Sequence, residues 1–306
     1  MRLARARWES RIVLVRLDSD LEAPDDASDG ASPVGVVLAS ESSHPAADVL
    51  REALASAVDL RGPGIAEVAL ADLELLSPVA NPSKLLGVGD NYADHADELG
   101  DERPLAPLLF LKATSAIIGP LDLVTFSLAD SQQVDFEAEL AVVIGARCRS
   151  VPSEEALEHV LGYTLCNDVS ARDAQYEVGG QWMRGKSFDT FAPLGPWIVT
   201  RDEIPAPVDL RITCKVNGET MQDSRTSRMI FGVAEIVAYA SRFMTLEPGD
   251  VISTGTPSGV GSGRKPPVFL RDGDVVEVEV ERVGALRNVV RAVADRAPSS
   301  GGLRTA

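Results

Sequence analysis

Apolar residues fall along this chain mostly in short β-branched runs, broken by glycine, proline and acidic turns, a pattern of many strands and few helices. The runs at 11–17 and 34–39 predict strands on either side of DSDLEAPDDASDGASP, an acidic segment with the composition of an exposed loop. Residues 45–58, PAADVLREALASAV, have helical spacing, and 63–77 fit neither period cleanly. Pro78 and Pro82 then punctuate the chain, which places a boundary near Asn81 and a small N-terminal α+β domain over 1–82. Beyond it, SKLLGVGD reads as a strand and turn, NYADHADELG as a short helix stopped by Gly100, 101–107 as a loop and LLFLK as a strand ending at Lys112. Further strands are expected around Ile117 and Leu123, over 134–146, 160–166, 187–190, 195–200, 208–216, 275–280 and 287–294, and within EPGDVISTG, with a hairpin turn at Asn217-Gly218. Helices are expected at 153–159, capped by Ser153, and at 230–244. The polar, glycine-rich stretch 171–186 is long for a connection and reads as functional. We assign 83–295 to one larger domain and 296–306 to a disordered tail.

Composition narrows the class. A hydrophobic share of 45% over 306 residues permits a full core, and a formal charge of -17 with no basic patch argues against a nucleic-acid or anionic-membrane surface. No apolar run approaches a membrane span, and the N-terminal IVLV is too short for a signal-peptide core. The three cysteines, Cys148, Cys166 and Cys214, are odd in number and widely spaced, so they read as reduced thiols. A cytoplasmic protein is expected.

The chemistry starts at VDFEAEL. Glu137 and Glu139 are two residues apart, so on a strand they share a face, and the apolar run after them is that of a strand buried on both sides. Two like charges at the head of such a strand repel and lose hydration unless a cation sits between them. The run 160–166 delivers a third carboxylate, Asp168, where a buried strand meets a polar loop. Three carboxylates without a His or Cys pair form an all-oxygen set, suited to Mg²⁺, Mn²⁺ or Ca²⁺ rather than zinc or copper.

The succession GDNYADHADE, LLFLK, VDFEAELAVVIG, GYTLCNDVSARDAQ, GKSFDTFAPLGPW, VNGE, PGDVISTGTPSGVG and GDVVEVEV resembles the fumarylacetoacetate hydrolase superfamily over about residues 83–290. The resemblance implies a β-rich α+β fold, a mixed β-sandwich roll with a small N-terminal domain. It also implies Mg²⁺ or Mn²⁺ on Glu137, Glu139 and Asp168, a small 2-oxo or 1,3-diketo acid as substrate, and a homodimer. His95 and Glu98 match the family's dyad, a water-activating base on a segment that can close over the site. Lys186 matches the lysine that offsets charge developing on the substrate. Lys112, Arg172, Gln175, Thr254, Gly255 and Thr256 match substrate-binding positions, the Arg172 fork suiting a carboxylate. Asp90 and Ala113 depart from the family's usual residues without removing any of these.

These residues lead us to expect cleavage of a C–C bond in an acylpyruvate- or fumarylpyruvate-type acid through a metal-held enolate. Decarboxylation of an oxaloacetate-like β-keto acid, which passes through the same enolate, and isomerisation of a 2-hydroxy-dienoic acid in aromatic catabolism are the alternatives. A binding protein with structural Ca²⁺ is the reading from another class; it has no need of His95, Glu98 and Lys186.

Overall fold

A computed structural model describes residues 1–17, 34–42, 48–99, 103–177, 180–207 and 209–294. The acidic segment 18–33, the helix stop at Gly100, the start of the 101–107 loop and the tail from 296 lie outside the described residues.

The fold is strand-rich α+β, built on two large sheets. The path of a twelve-stranded sheet runs through Ala66–Ala69, Val34–Ser42, Arg11–Leu17, Arg2–Trp8, Ala192–Thr200, Val160–Asn167, Ala138–Ile144, Val251–Ser253, Leu85–Gly89 and, at its edge, Leu108–Lys112. Glu74–Leu76 joins it beside Arg2–Trp8, and Ile117–Ile118 beside Ala192–Thr200. A five-stranded sheet has the order Glu219–Arg225, Arg211–Val216, Val275–Val280, Gly284–Val293 and Val124–Ser127. Neighbours are antiparallel except where Val251–Ser253 meets Leu85–Gly89, Gly284–Val293 meets Val124–Ser127 and Ala192–Thr200 meets Ile117–Ile118.

The Ala138–Ile144 strand explains the layering. Leu140, Val142 and Ile144 pack in one core with Ile212, Cys214, Val276, Val278 and Val280 of the five-stranded sheet. Ala141 and Val143 point the other way, into a second core with Leu3, Leu14, Val49, Leu50 and Ala53. All seven residues of the strand are buried, as its unbroken apolar run requires. Burying each of its Val, Leu and Ile side chains contributes about 1.5–3 kcal/mol, so the strand is a rigid base for the carboxylates at its head.

Several sequence expectations are corrected. Arg2–Trp8 is a strand although arginine recurs along it, because Leu3, Ala4 and Ala6 are fully buried. It pairs with both Arg11–Leu17 and Ala192–Thr200, so strands from before and after residue 82 share one sheet. The ambiguous 63–77 region holds the strands Ala66–Ala69 and Glu74–Leu76. Residues 187–190 form a turn, in which the Phe191 amide donates to the Phe188 carbonyl and Thr190 takes φ +72°. Ser153 does not cap its helix; Pro152 stands at that position without a side-chain hydrogen bond. The supposed loop 171–186 carries two short helices, Arg172–Tyr176 and Trp182–Lys186.

Candidate active site

Glu137, Glu139 and Asp168 come together at the head of the Ala138–Ile144 strand, with one carboxylate oxygen from each within 4.8 Å of the others, and all three are buried. Glu137 lies one residue ahead of the ladder. Its amide donates to Asn167 Oδ1 (3.0 Å) and its carbonyl accepts from the Asp168 amide (2.9 Å), which clips the two strand ends together.

Three buried cations surround the acids. Lys186 Nζ donates to Glu137 Oε2 (2.7 Å) and Asp168 Oδ2 (2.8 Å). Lys112 Nζ donates to Asp168 Oδ1 (2.5 Å) and the Val169 carbonyl (3.2 Å). Arg172 Nη2 lies 2.7 Å from Glu137 Oε1, an ion pair that is not aligned as a hydrogen bond. Burial alone would raise the Glu137 carboxyl, but Lys186 and Arg172 outweigh it and hold it down at about 2. The opposing pull of Asp168 and Glu137 likewise overcomes burial and raises the Lys186 ammonium above its ordinary value, so it stays charged.

Glu139 differs from its neighbours. Its Oε2 accepts from Ser253 Oγ (2.6 Å) and the Gly255 amide (2.8 Å), and among the described residues it has no cation partner. Burial, then repulsion from Asp168 and Glu137, pushes its carboxyl well above the usual range. A carboxylate destabilised in this way, one of three clustered acids, is the donor set that a hard divalent cation relieves. The residues present therefore fit such a metal.

The remaining expected residues take two kinds of position. The Thr254 and Thr256 hydroxyls donate to the Leu140 and Ala138 carbonyls (2.8 and 3.0 Å), and the Gly255 amide is committed to Glu139, so TGTP fastens its loop to the strand. Gly255 has φ +98°, and a Cβ there would stand 2.8 Å from the Asn91 Cβ. Gln175 accepts from Arg172 Nη1 at 3.0 Å. On the helix Ala93–Leu99, His95 is buried and its Nδ1 lies 3.5 Å from Glu98 Oε2, an approach rather than a formed hydrogen bond. His95 is close enough to Glu137 for a protonated imidazole to lower that carboxyl further. Glu98 also accepts from the Gly259 amide (3.0 Å), and the His95 contact, partly opposed by burial, leaves its pKa below the ordinary carboxylate value. Phe110 lies under Lys186 (Nζ to ring centroid 5.3 Å) and meets Trp182 edge-on at 5.6 Å, while Trp182 occupies the space over Gly89.

Sequence reasoning missed Asp135, Ser253 and Gln222. Asp135 is fully buried and pairs with Arg172 Nε at 2.9 Å. Gln222 accepts from the Ala138 amide (3.0 Å) and donates to Thr256 Oγ1 (2.8 Å). Their signal was slight: Asp135 and Ser253 are single polar residues closing short buried strands, and Gln222 lies in an edge strand in which Thr220 and Asp223 are exposed.

The family model for the C-terminal part of fumarylacetoacetate hydrolase matches residues 84–291, the stretch that contains every group described above. The chain belongs to the fumarylacetoacetate hydrolase family. It is an enzyme of that superfamily. Among curated relatives, the mitochondrial oxaloacetate tautomerase of Xenopus laevis is 49% identical over 221 residues, 72% of this chain and 69% of the relative. The Rattus norvegicus counterpart is 44% identical over 262 residues, 86% and 81% of the two chains. Among solved structures, a fumarylacetoacetate hydrolase from Exiguobacterium antarcticum superposes with a TM-score of 0.80 at 39% identity, covering 95% of this chain and 99% of that one. A 2-hydroxyhepta-2,4-diene-1,7-dioate isomerase from Mycobacterium marinum gives a TM-score of 0.76 at 38% identity, with 95% and 98% covered. Among the described residues no helix is long and apolar enough to cross a membrane.

Proposed function

We propose that this family member is a divalent-metal-assisted tautomerase of a small 2-oxo dicarboxylic acid, oxaloacetate being the first candidate. This replaces C–C hydrolysis as the leading reading, and the 49% identity to an oxaloacetate tautomerase supports it. The observation that carries it is the buried acid triad ringed by Lys112, Arg172 and Lys186, an arrangement for holding an enolate. Glu137, Glu139 and Asp168 would hold Mg²⁺ or Mn²⁺, which when bound supplies Lewis acidity toward the 2-oxo group.

Keto–enol exchange moves one proton between C3 and the C2 oxygen, and no bond to water forms. Arg172, fixed by Asp135 and Gln175, offers its guanidinium edge to the C1 carboxylate. Lys186 has given two of its three N–H donors to Glu137 and Asp168, and the third offsets charge growing on the C2 oxygen. His95 exchanges the C3 proton, with Glu98 favouring the tautomer whose Nδ1 carries hydrogen. Trp182 and Phe110, which pack edge to face beside Lys186, shield that side of the site from water.

The His95–Glu98 pair also suits hydrolysis, the second reading, because the same base could activate water. Incubation with enol-oxaloacetate and, separately, acetylpyruvate discriminates between them. Tautomerisation predicts metal-dependent loss of enol absorbance without release of CO₂ or of an acid; metal-dependent cleavage of acetylpyruvate with no effect on oxaloacetate would replace it by hydrolysis. A homodimer remains part of the proposal, supported by Leu105, Leu108 and Leu111, exposed along and beside the edge strand Leu108–Lys112. Light scattering of the purified protein should give twice the chain mass.

A further inference from the structure

We propose that Asp135 is a positioning residue that sets the direction of the Arg172 guanidinium and ties it to the glycine-rich loop on which the His95 helix docks. The inference rests on the reading that Arg172 receives a 2-oxo acid's carboxylate.

Asp135 is fully buried, belongs to no expected ligand set and accepts four hydrogen bonds. Oδ1 takes the Phe136 amide (2.9 Å) and the Gly261 amide (2.7 Å); Oδ2 takes the Ser262 amide (3.0 Å) and Arg172 Nε (2.9 Å). The Nε bond fixes one edge of the planar guanidinium and Gln175 fixes Nη1, which leaves Nη2 facing Glu137. The loop is wrapped closely around the carboxylate: a Cβ on Gly261 would stand 2.7 Å from Asp135 Oδ1 and 1.9 Å from the Val268 carbonyl. Two residues earlier the same loop presents the Gly259 amide to Glu98. One carboxylate thus stands where the arginine and the docking loop of the helix meet. If Asp135 only tied down the turn at 261–262, its effects would be independent of Arg172; if it aims the guanidinium, they vanish once Arg172 is gone.

The test uses the Mn²⁺-loaded protein and oxalate, a planar mimic of the enolate's carboxylate and adjacent oxygen, with affinities measured by calorimetry. Asp135→Asn retains one acceptor and brings an NH₂ group against existing donors, so oxalate affinity should fall on the order of 10-fold while Mn²⁺ affinity is retained. Arg172→Gln should lose at least as much, and the double variant should be no weaker than Arg172→Gln. Additive losses, or full affinity in Asp135→Asn, would overturn the inference. Should Asp135→Asn fail to fold, Arg172→Ala with Asp135 intact still decides: free guanidinium should restore oxalate binding and methylammonium should not, and equal or absent rescue refutes the role. Oxaloacetate turnover measured alongside separates the two claims. Coupled oxalate losses without turnover keep the positioning role and remove the proposed activity, whereas turnover with additive losses does the reverse.

Discussion

The floor of the site and the helix above it are built on opposite principles. On the floor, Glu137, Asp168, Lys112, Lys186 and Arg172 are buried and each is tied to a partner at 2.5–2.8 Å. On the helix Ala93–Leu99, His95 Nδ1 has no formed hydrogen bond, and Glu98 shares its carboxylate between an approach to His95 and the Gly259 amide. A fully paired, buried network is rigid and costly to disturb, while a loosely held imidazole can take up and release a proton. The difference assigns binding and charge stabilisation to the floor and proton movement to the helix.

The strongest way to break this division is to open the floor. Glu137→Ala removes one carboxylate and leaves Lys186 and Arg172 without that partner, so Mn²⁺ binding followed by electron paramagnetic resonance should disappear and turnover should drop on the order of 1000-fold. Full Mn²⁺ binding in this variant would end the floor's role as the metal site. His95→Ala should leave Mn²⁺ binding intact yet lower kcat about 100-fold or more, as expected for loss of a general acid–base group. Glu98→Gln keeps the shape and removes only the charge beside the imidazole; a kcat loss of about 10-fold with a shifted acid limb of the pH–rate profile is expected.

A finer test uses pH. The Glu139 carboxyl is raised in the folded protein, so its contribution to the stability of the metal-free protein is present while it is protonated and is lost as pH rises through its folded pKa. Glu137 is shifted the other way, to about 2, so its contribution is present above the ordinary carboxylate range and is lost as pH falls toward that value. Added Mg²⁺ should therefore raise Tm more at pH 7 than at pH 5, because Glu139 must give up its proton to bind. Scanning calorimetry at both pH values checks this; an equal shift would mean that Glu139 is already ionised without metal. The smallest effect is expected at the wall, where Trp182→Ala should raise KM several-fold with kcat nearly unchanged, since it removes shielding that is uniform between ground and transition states.

Much of the floor was legible in the sequence, and for physical reasons. Glu137, Glu139 and Asp168 stand at the mouths of apolar runs, where an acid needs a cation, and Lys186 follows by family resemblance. The partners that hold them were not legible, because they come from strands joined only by the sheet. Ser253 lies 114 residues from Glu139, and Gly261 lies 126 from Asp135. In the same way, the strand Arg2–Trp8, interrupted by arginines, is recognisable only from its pairing with Ala192–Thr200, with Leu3 facing a core. Thr254 and Thr256 match binding positions in sequence, and only the geometry shows their hydroxyls bonded to strand carbonyls.

The most direct test of proton movement on the helix over a charge-stabilising floor is deuterium exchange at C3 of oxaloacetate, followed by NMR in Mg²⁺-saturated wild type and His95→Ala. The account predicts rapid, metal-dependent wash-in for wild type and a loss of about 100-fold or more in the variant. Equal exchange in the two proteins, or exchange that persists without metal, would contradict it.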